Sequence, residues 1–220
     1  VWQTHTQLHN RWCSRKGGGY VDLGLPSHLK WAKCNVGAET ETEYGYYFQW
    51  GSITPNTAVE CIWANYKYCN GTEKTLTKYN TSTSYGENPD KIATLDPEDD
   101  AARANMGGDW RMPTRTEIQE LLNNTTTEWF DNFNGTGRKG YKFISKADTS
   151  KYIFIPAAGC SSNGSVYNVG YYGYVWSSSL DAEDNGCAWD LHFDSDNISG
   201  IYYNFYRNRY RGYAVRGVMD

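Results

Sequence analysis

The chain has 220 residues, a net charge of -4, 39% apolar residues and a high aromatic share of 16%. No linker interrupts that length, so one domain is expected rather than two. The charge excludes a whole-surface attraction to nucleic acid or anionic membrane, and no apolar run reaches the roughly 18 residues of a membrane helix.

Residues 1–18 open on Val1-Trp2-Gln3-Thr4, without a Met or an apolar signal core. They read as an N-terminal extension of a mature or trimmed chain, ahead of a domain over 19–220. Strands are expected at Tyr20–Leu25, Leu29–Val36 and Tyr46–Trp50. Residues 51–95 are polar, turn-rich and aperiodic, which reads as a long surface insertion.

Two helices follow. Asp96-Pro97-Glu98-Asp99-Asp100 supplies an N-cap, an N1 proline and first-turn acids before Ala101–Met106, and Gly107-Gly108 ends that helix. Thr114-Arg115-Thr116-Glu117 is a capping box, followed by Ile118, Leu121 and Leu122 on one helical face.

The remainder is β-rich. Strands are expected at Tyr141–Ile144, Tyr152–Ile155, Tyr174–Ser178, Ala188–Phe193, Ile198–Tyr203 and Tyr213–Val218. Trp189, Leu191 and Phe193 alternate with Asp190, His192 and Asp194, predicting one buried face and one polar, exposed face. Two helices among many short antiparallel strands define an α+β class. Six cysteines (Cys13, Cys34, Cys61, Cys69, Cys160 and Cys187) lack metal-type spacing. Their even number fits an oxidising compartment with up to three disulfides, or else free buried thiols.

From Asp190 to Val218 the chain contains no Lys, Glu, Gln, Met or Trp, although these types make up 38 of the 220 residues. About five would be expected in such a window on overall composition. Tyr, Asn, Asp, Arg and Phe crowd it instead, the alphabet of recognition surfaces: rigid aromatic anchors, adaptable amides and Arg forks. The five missing types are also those that no codon ending in C encodes.

Several motifs stand in order along the chain. They are Tyr20-Val21-Asp22-Leu23-Gly24-Leu25-Pro26-Ser27, Leu29-Lys30-Trp31-Ala32, Cys34-Asn35-Val36-Gly37-Ala38, Glu43-Tyr44-Gly45 and Trp50-Gly51. Gly108-Asp109-Trp110-Arg111-Met112-Pro113-Thr114, Pro156-Ala157-Ala158-Gly159, Trp176-Ser177-Ser178-Ser179, Ala188-Trp189, Arg209-Tyr210-Arg211-Gly212 and Val215-Arg216 complete the set. Over residues 19–218 the chain resembles the Fibrobacter succinogenes major paralogous domain, a family of exported proteins common in Bacteroidetes. Gly217 departs from the usual Pro of that pattern. The resemblance implies a C-type-lectin-like fold, with two helices packed on small twisted antiparallel sheets and long loops.

Some members resemble the variable proteins of diversity-generating retroelements, in Bacteroidetes or their phages. There, adenine mutagenesis turns AAC codons into NNC codons, which leaves the residue alphabet seen here. On that resemblance the variable region covers about 181–216. Trp189, Arg209, Gly212, Val215 and Arg216 would be fixed framework. The implied ligand-binding residues are Asp184, Asn185, Cys187, Asp190, His192, Tyr202, Tyr203, Asn204, Phe205, Tyr206, Asn208, Tyr210, Arg211 and Tyr213. The aromatics would supply area, and the amides, acids, His192 and Arg211 directional bonds. The partner would be a protein or glycan on another cell surface, bound by an extracellular adhesin, pilus or phage receptor-binding protein. The alternative is a non-diversified structural or carbohydrate-binding envelope domain.

Catalysis has little support. His5, His9, His28 and His192 are scattered without ligand spacing, so neither a metal nor a cofactor is expected. The formylglycine-generating oxidases share the lectin-like fold class but need a reactive cysteine pair; Cys160 and Cys187 could pair in space, but they read rather as a disulfide or an accident of diversification. Calcium-dependent lectins use Glu-Pro-Asn or Gln-Pro-Asp and then Trp-Asn-Asp, and these triplets are missing. Arg207, Arg209, Arg211 and Arg216 interleave with aromatics, yet Asp181, Asp184, Asp190, Asp194 and Asp196 offset them, so nucleic acid is not expected.

Overall fold

The computed structural model describes residues 19–199 and 207–220. In chain order the elements are β1 (Tyr20–Asp22), β2 (Lys30–Asn35), α1 (Ala101–Met106), α2 (Arg115–Asn124), β3 (Thr125–Phe130), β4 (Gly140–Ser145) and β5 (Tyr152–Pro156). There follow β6 (Cys160–Ser162), β7 (Ser165–Tyr167), β8 (Gly173–Leu180), β9 (Ala188–Phe193), β10 (Ile198–Ser199) and β11 (Arg216–Met219). They form small sheets in the orders β1-β2-β11, β10-β9-β8, β3-β4-β5 and β6-β7. Every strand pair is antiparallel. This is a mixed helix-and-sheet protein with two α-helices among the described residues, and neither is long and apolar enough to cross a membrane.

Local sequence signals explain the helices. The Thr114 hydroxyl accepts from the Glu117 N–H at 3.3 Å while the Glu117 carboxylate accepts from the Thr114 N–H at 2.7 Å. This reciprocal cap starts α2, whose Ile118 and Leu121 are buried. The start of α1 differs from the sequence expectation. Pro97–Asp99 form a separate 3-10 turn, and Asp100 is the cap, accepting from the Arg103 N–H at 3.0 Å. Its other oxygen accepts from the Met112 N–H at 2.7 Å, which ties the helix start to the chain entering α2. Gly107, at φ 74°, ends α1 in a left-handed conformation.

Two hydrophobic clusters fill the interior. One gathers Trp31, Phe143, Ile153, Ile155, Leu191, Phe193 and Val218 around the buried face of α2. The other is built on Trp50, Tyr66, Tyr68, Tyr79, Trp176 and Tyr213. Aromatic rings carry the second cluster, and their polar atoms are satisfied: the Trp50 indole donates to Ser177 O and the Trp176 indole to Phe48 O, both at 2.8 Å.

The expected surface insertion is not merely superficial. Residues 51–95 hold little regular structure but send Tyr66, Tyr68, Leu76, Tyr79 and Leu95 into that second cluster. Asp99 anchors the same stretch, at 2.7 Å from Lys67 and 2.8 Å from Lys78, and accepts from Tyr79 Oη at 2.6 Å. Burial opposes ionisation of Asp99, but hydrogen bonds from Lys67, Lys78, Tyr68 and Tyr79 outweigh it and hold the carboxyl below its usual range. Tyr46–Trp50 forms no strand; only Phe48 pairs, with Tyr213. Cys61, Cys69, Cys160 and Cys187 are free thiols, which leaves room for one of the three conceivable bridges, and Cys34 is disulfide-bonded.

Two fully buried arginines join distant segments. Arg216 in β11 donates to Ala32 O and Asn35 Oδ1 at 2.9 Å and to Phe154 O at 3.0 Å, linking β2 with β5. Arg209 donates at 2.9 Å to Tyr66 Oη, Tyr79 O, Asn185 O and Lys78 O, with its guanidinium 4.9 Å from the Trp50 ring centre. Replacing Arg209 by Met would leave those carbonyls without a donor. The expected cost is about 3–5 kcal/mol, since each buried carbonyl left without its donor costs about 1–3 kcal/mol. Denaturant unfolding of Arg209→Met against the unsubstituted chain measures it, and a loss below about 1 kcal/mol contradicts the assignment.

Candidate recognition surface

The segment 207–215 is stitched across β8 and β9 rather than projecting from them. Ala188 N donates to Arg207 O at 3.1 Å and Arg209 N to Gly186 O at 2.9 Å. Gly212 and Ser161 exchange two hydrogen bonds at 2.8 Å, and Trp176 N donates to Ala214 O at 3.0 Å. Glycine is required at 212, where a Cβ would lie 2.9 Å from Cys61 Sγ and 3.0 Å from Ser161 Cβ. Residues 207–210 therefore alternate between the interior and the surface under tight backbone control, and 212–215 are all buried.

The alternation separates two groups. Arg207, Arg209, Gly212, Tyr213, Ala214, Val215 and Arg216 are buried, while Asn208, Tyr210 and Arg211 are half-exposed. Tyr210 rests against Trp63, with ring centres 5.1 Å apart, and its carbonyl accepts from Gln49 Nε2 at 3.1 Å. The Arg211 guanidinium stands 5.7 Å from the Tyr210 ring centre and 4.0 Å from Cys160 Sγ. Asn208 pairs with Cys187 across an isolated bridge.

Other expected site residues lie deeper than the sequence implied. Tyr213 is fully buried, stacked 4.1 Å from Trp176 and 4.8 Å from Tyr174. Asn185 is fully buried as well: its Oδ1 accepts from Thr81 N at 2.6 Å, its Nδ2 donates to Ala182 O, and its carbonyl serves Arg209. Cys187 is buried, with its thiol 3.4 Å from Asp184 Oδ2, while Asp184 itself is half-buried. Asp190 is only 3% exposed. The polar, exposed face expected of β9 is thus corrected at Asp190, which is buried, while His192 and Asp194 stay partly exposed. Tyr202, Tyr203, Asn204, Phe205 and Tyr206 lie outside the described residues.

His192 remains at the rim. Its ring stacks 4.7 Å from Tyr174 and 5.6 Å from Tyr172, continuing the Trp176–Tyr213–Tyr174 stack toward the surface. Burial lowers its pKa from the ordinary 6.5, against the opposing effect of Asp194, so the imidazole is neutral at pH 7. Sequence reasoning missed Trp63, Tyr172 and Arg207. Trp63 sits in an aperiodic stretch with no signal, whereas Tyr172, two residues before Tyr174, follows the strand period.

Burial pushes the Cys160 and Cys187 thiols up, so neither is a thiolate at neutral pH. Among the described residues no group of three or more His, Cys, Asp or Glu side chains is placed to hold a metal ion. Arg207 ion-pairs Asp181 at 3.1 Å, and Trp189 lies between the Arg115 and Arg207 guanidinium groups, at 3.6 and 4.3 Å. Compared with the models of known families, with curated proteins and with solved structures, the chain finds no match.

Asp190 gives this surface a pH dependence. Burial pushes its carboxyl up to about 7, against the pull of Arg207. A folded pKa above the unfolded one means that folding favours the protonated acid. That stability is fully present at about pH 4 and is lost as pH rises through about 7. The stability of the chain relative to Asp190→Asn should therefore fall by on the order of 4 kcal/mol between about pH 4 and pH 8. Denaturant midpoints of both proteins across that range test this, and parallel profiles contradict it.

Proposed function

We propose that this chain is a non-enzymatic recognition domain of C-type-lectin-like architecture, whose tail surface is diversified by retroelement codon substitution. One observation carries the reading. Within 207–216 the residues assigned by the codon signature to the fixed framework (Arg209, Gly212, Val215 and Arg216) are all buried. The half-exposed residues are Asn208, Tyr210 and Arg211, and each belongs to the variable set. A diversified binding surface needs this separation, because substitution is tolerated only where it does not break the frame. Tyr213 is the exception, a residue with the variable alphabet in a framework position.

Small antiparallel sheets, two helices and long irregular connections suit such a scaffold, since loops held by a rigid frame carry recognition. Tyr210 beside Trp63 offers rigid aromatic area, and Asn208 and Arg211 offer directional bonds around it. The ligand is then a protein or glycan met outside the cell, bound by an exported protein.

The flanking DNA tests diversification. A near-identical repeat carrying adenines at the codons of Asn208, Tyr210 and Arg211, beside a reverse transcriptase gene, is expected; a gene with neither removes that part of the proposal. The frame and surface assignment has its own test. Tyr210→Ala should cost less than about 1.5 kcal/mol, whereas Tyr213→Ala should cost about 3–5 kcal/mol as a fully buried aromatic truncation. Equal losses in thermal unfolding contradict the division.

A further inference from the structure

The hairpin of β6 and β7 leaves one strand edge open. Its turn is Asn163-Gly164, with φ of 47° and 85°, the two-residue type whose twist matches that of the strands. Such a turn makes Ser162 and Ser165 a hydrogen-bonded pair. At the next pair, Ser161 and Val166, the main-chain N–H and C=O groups therefore point away from the hairpin. Ser161 spends its two groups on Gly212, in the two bonds of 2.8 Å. Val166 has no such partner among the described residues. β7 is thus the outer edge of a ribbon that runs through β6 and Gly212 to the neighbouring pair Tyr213 and Phe48.

Natural edges are guarded by Lys, Pro, bulges or a covering segment. This one has no charge to guard it, because from Tyr152 to Leu180 the chain contains no Asp, Glu, Lys, Arg or His. Val166 and Tyr167 are each 45% exposed, and Val169 and Tyr171 follow them at the surface. Val59 joins them, since Gly164 N donates to Ala58 O at 2.8 Å and brings that loop to the hairpin turn. These are five of the eight large apolar side chains exposed among the described residues, so exposed apolar surface is concentrated at this edge.

Three features select a second copy of the chain as the occupant. The edge is complementary to itself: a two-fold axis at Val166 lets each copy's N–H donate to the other's carbonyl, as Ser161 and Gly212 already do within the chain. Two copies that each carry a net charge of -4 repel one another, least of all across an uncharged face. The five side chains expose on the order of 400 Å², the size of a functional patch but below half of a standard interface, which suits a reversible contact.

We propose that β7 pairs antiparallel with β7 of a second copy about a two-fold axis at Val166, forming a weak dimer with one continuous sheet. The dimer does not depend on what the tail binds.

Sedimentation equilibrium from about 10 µM to about 1 mM tests this, with a dissociation constant on the order of 100 µM expected. Val166→Lys sets two ammonium groups opposite each other across the axis, and Val166→Glu two carboxylates. Each variant alone should associate at least about tenfold more weakly at unchanged melting temperature, and an equal mixture of the two should recover the association. If either charged variant melts earlier, Val166→Pro takes its place; it removes the outward N–H and keeps the bonds to β6. An unsubstituted chain that stays monomeric at the highest concentration leaves the edge to another chain or to water, and overturns the proposal. Association undiminished in the variants places the contact on another face, which also overturns it. A mixture that stays monomeric removes the two-fold register.

Discussion

The structure depends on a buried cation that no carboxylate touches. Arg209 places its guanidinium among the carbonyls of Lys78, Tyr79 and Asn185, the hydroxyl of Tyr66 and the face of Trp50. Three of those partners come from the irregular 51–95 stretch, and Asn185 from the loop before β9. Backbone dipoles thus replace the water that the charge gives up, and they do so only while all of these segments hold their positions. Without this hub the long insertion would have little reason to adopt one conformation, since it has few strand or helix bonds of its own. Arg216 repeats the device between β2, β5 and β11, with Asn35 Oδ1 and two carbonyls as partners.

That arrangement explains how the proposed recognition surface is held in place. Arg209, Gly212 and Arg216 are spaced so that each fixes a short stretch of backbone, and the partly exposed Asn208 lies just before them, with Tyr210 and Arg211 between the first two. The side chains that meet solvent contribute little to the hub. The proposed recognition function follows from this division of labour, with affinity chosen at the surface and stability kept in the frame.

Local signals were legible in the sequence. The capping box at Thr114, the Gly107 stop and the strand Ala188–Phe193 depend on neighbours within a few residues, and they stand where local chemistry puts them. The α1 cap shifted from Asp96 to Asp100 because Asp100 also serves Met112, a contact with no sequence signature. β3 was missed because Thr125-Thr126-Thr127-Glu128 carries no apolar alternation; its pairing with β4 supplies the order instead. Burial on β9 was misjudged for a related reason. Period-two alternation tells which residues share a face, but not which polar residues on it are buried, as Asp190 is. The role of 51–95 was hidden likewise, since Tyr66, Tyr68 and Tyr79 have no regular spacing and are gathered by Arg209 and Asp99.

The pairing of β2 with β11 has a consequence for the order of folding. Arg216 lies opposite Asn35 and Met219 opposite Lys30, so the two strands meet across nearly the whole domain. During synthesis β2 can form its hairpin with β1 early, but its other edge, carrying Trp31 and the carbonyl that Arg216 will claim, must wait until residue 219 has emerged. Closing so long a loop is entropically slow, and the nascent chain meanwhile presents an unpaired strand edge. Completion of the C-terminal strand is therefore the step that turns a set of separate hairpins into one cooperative unit.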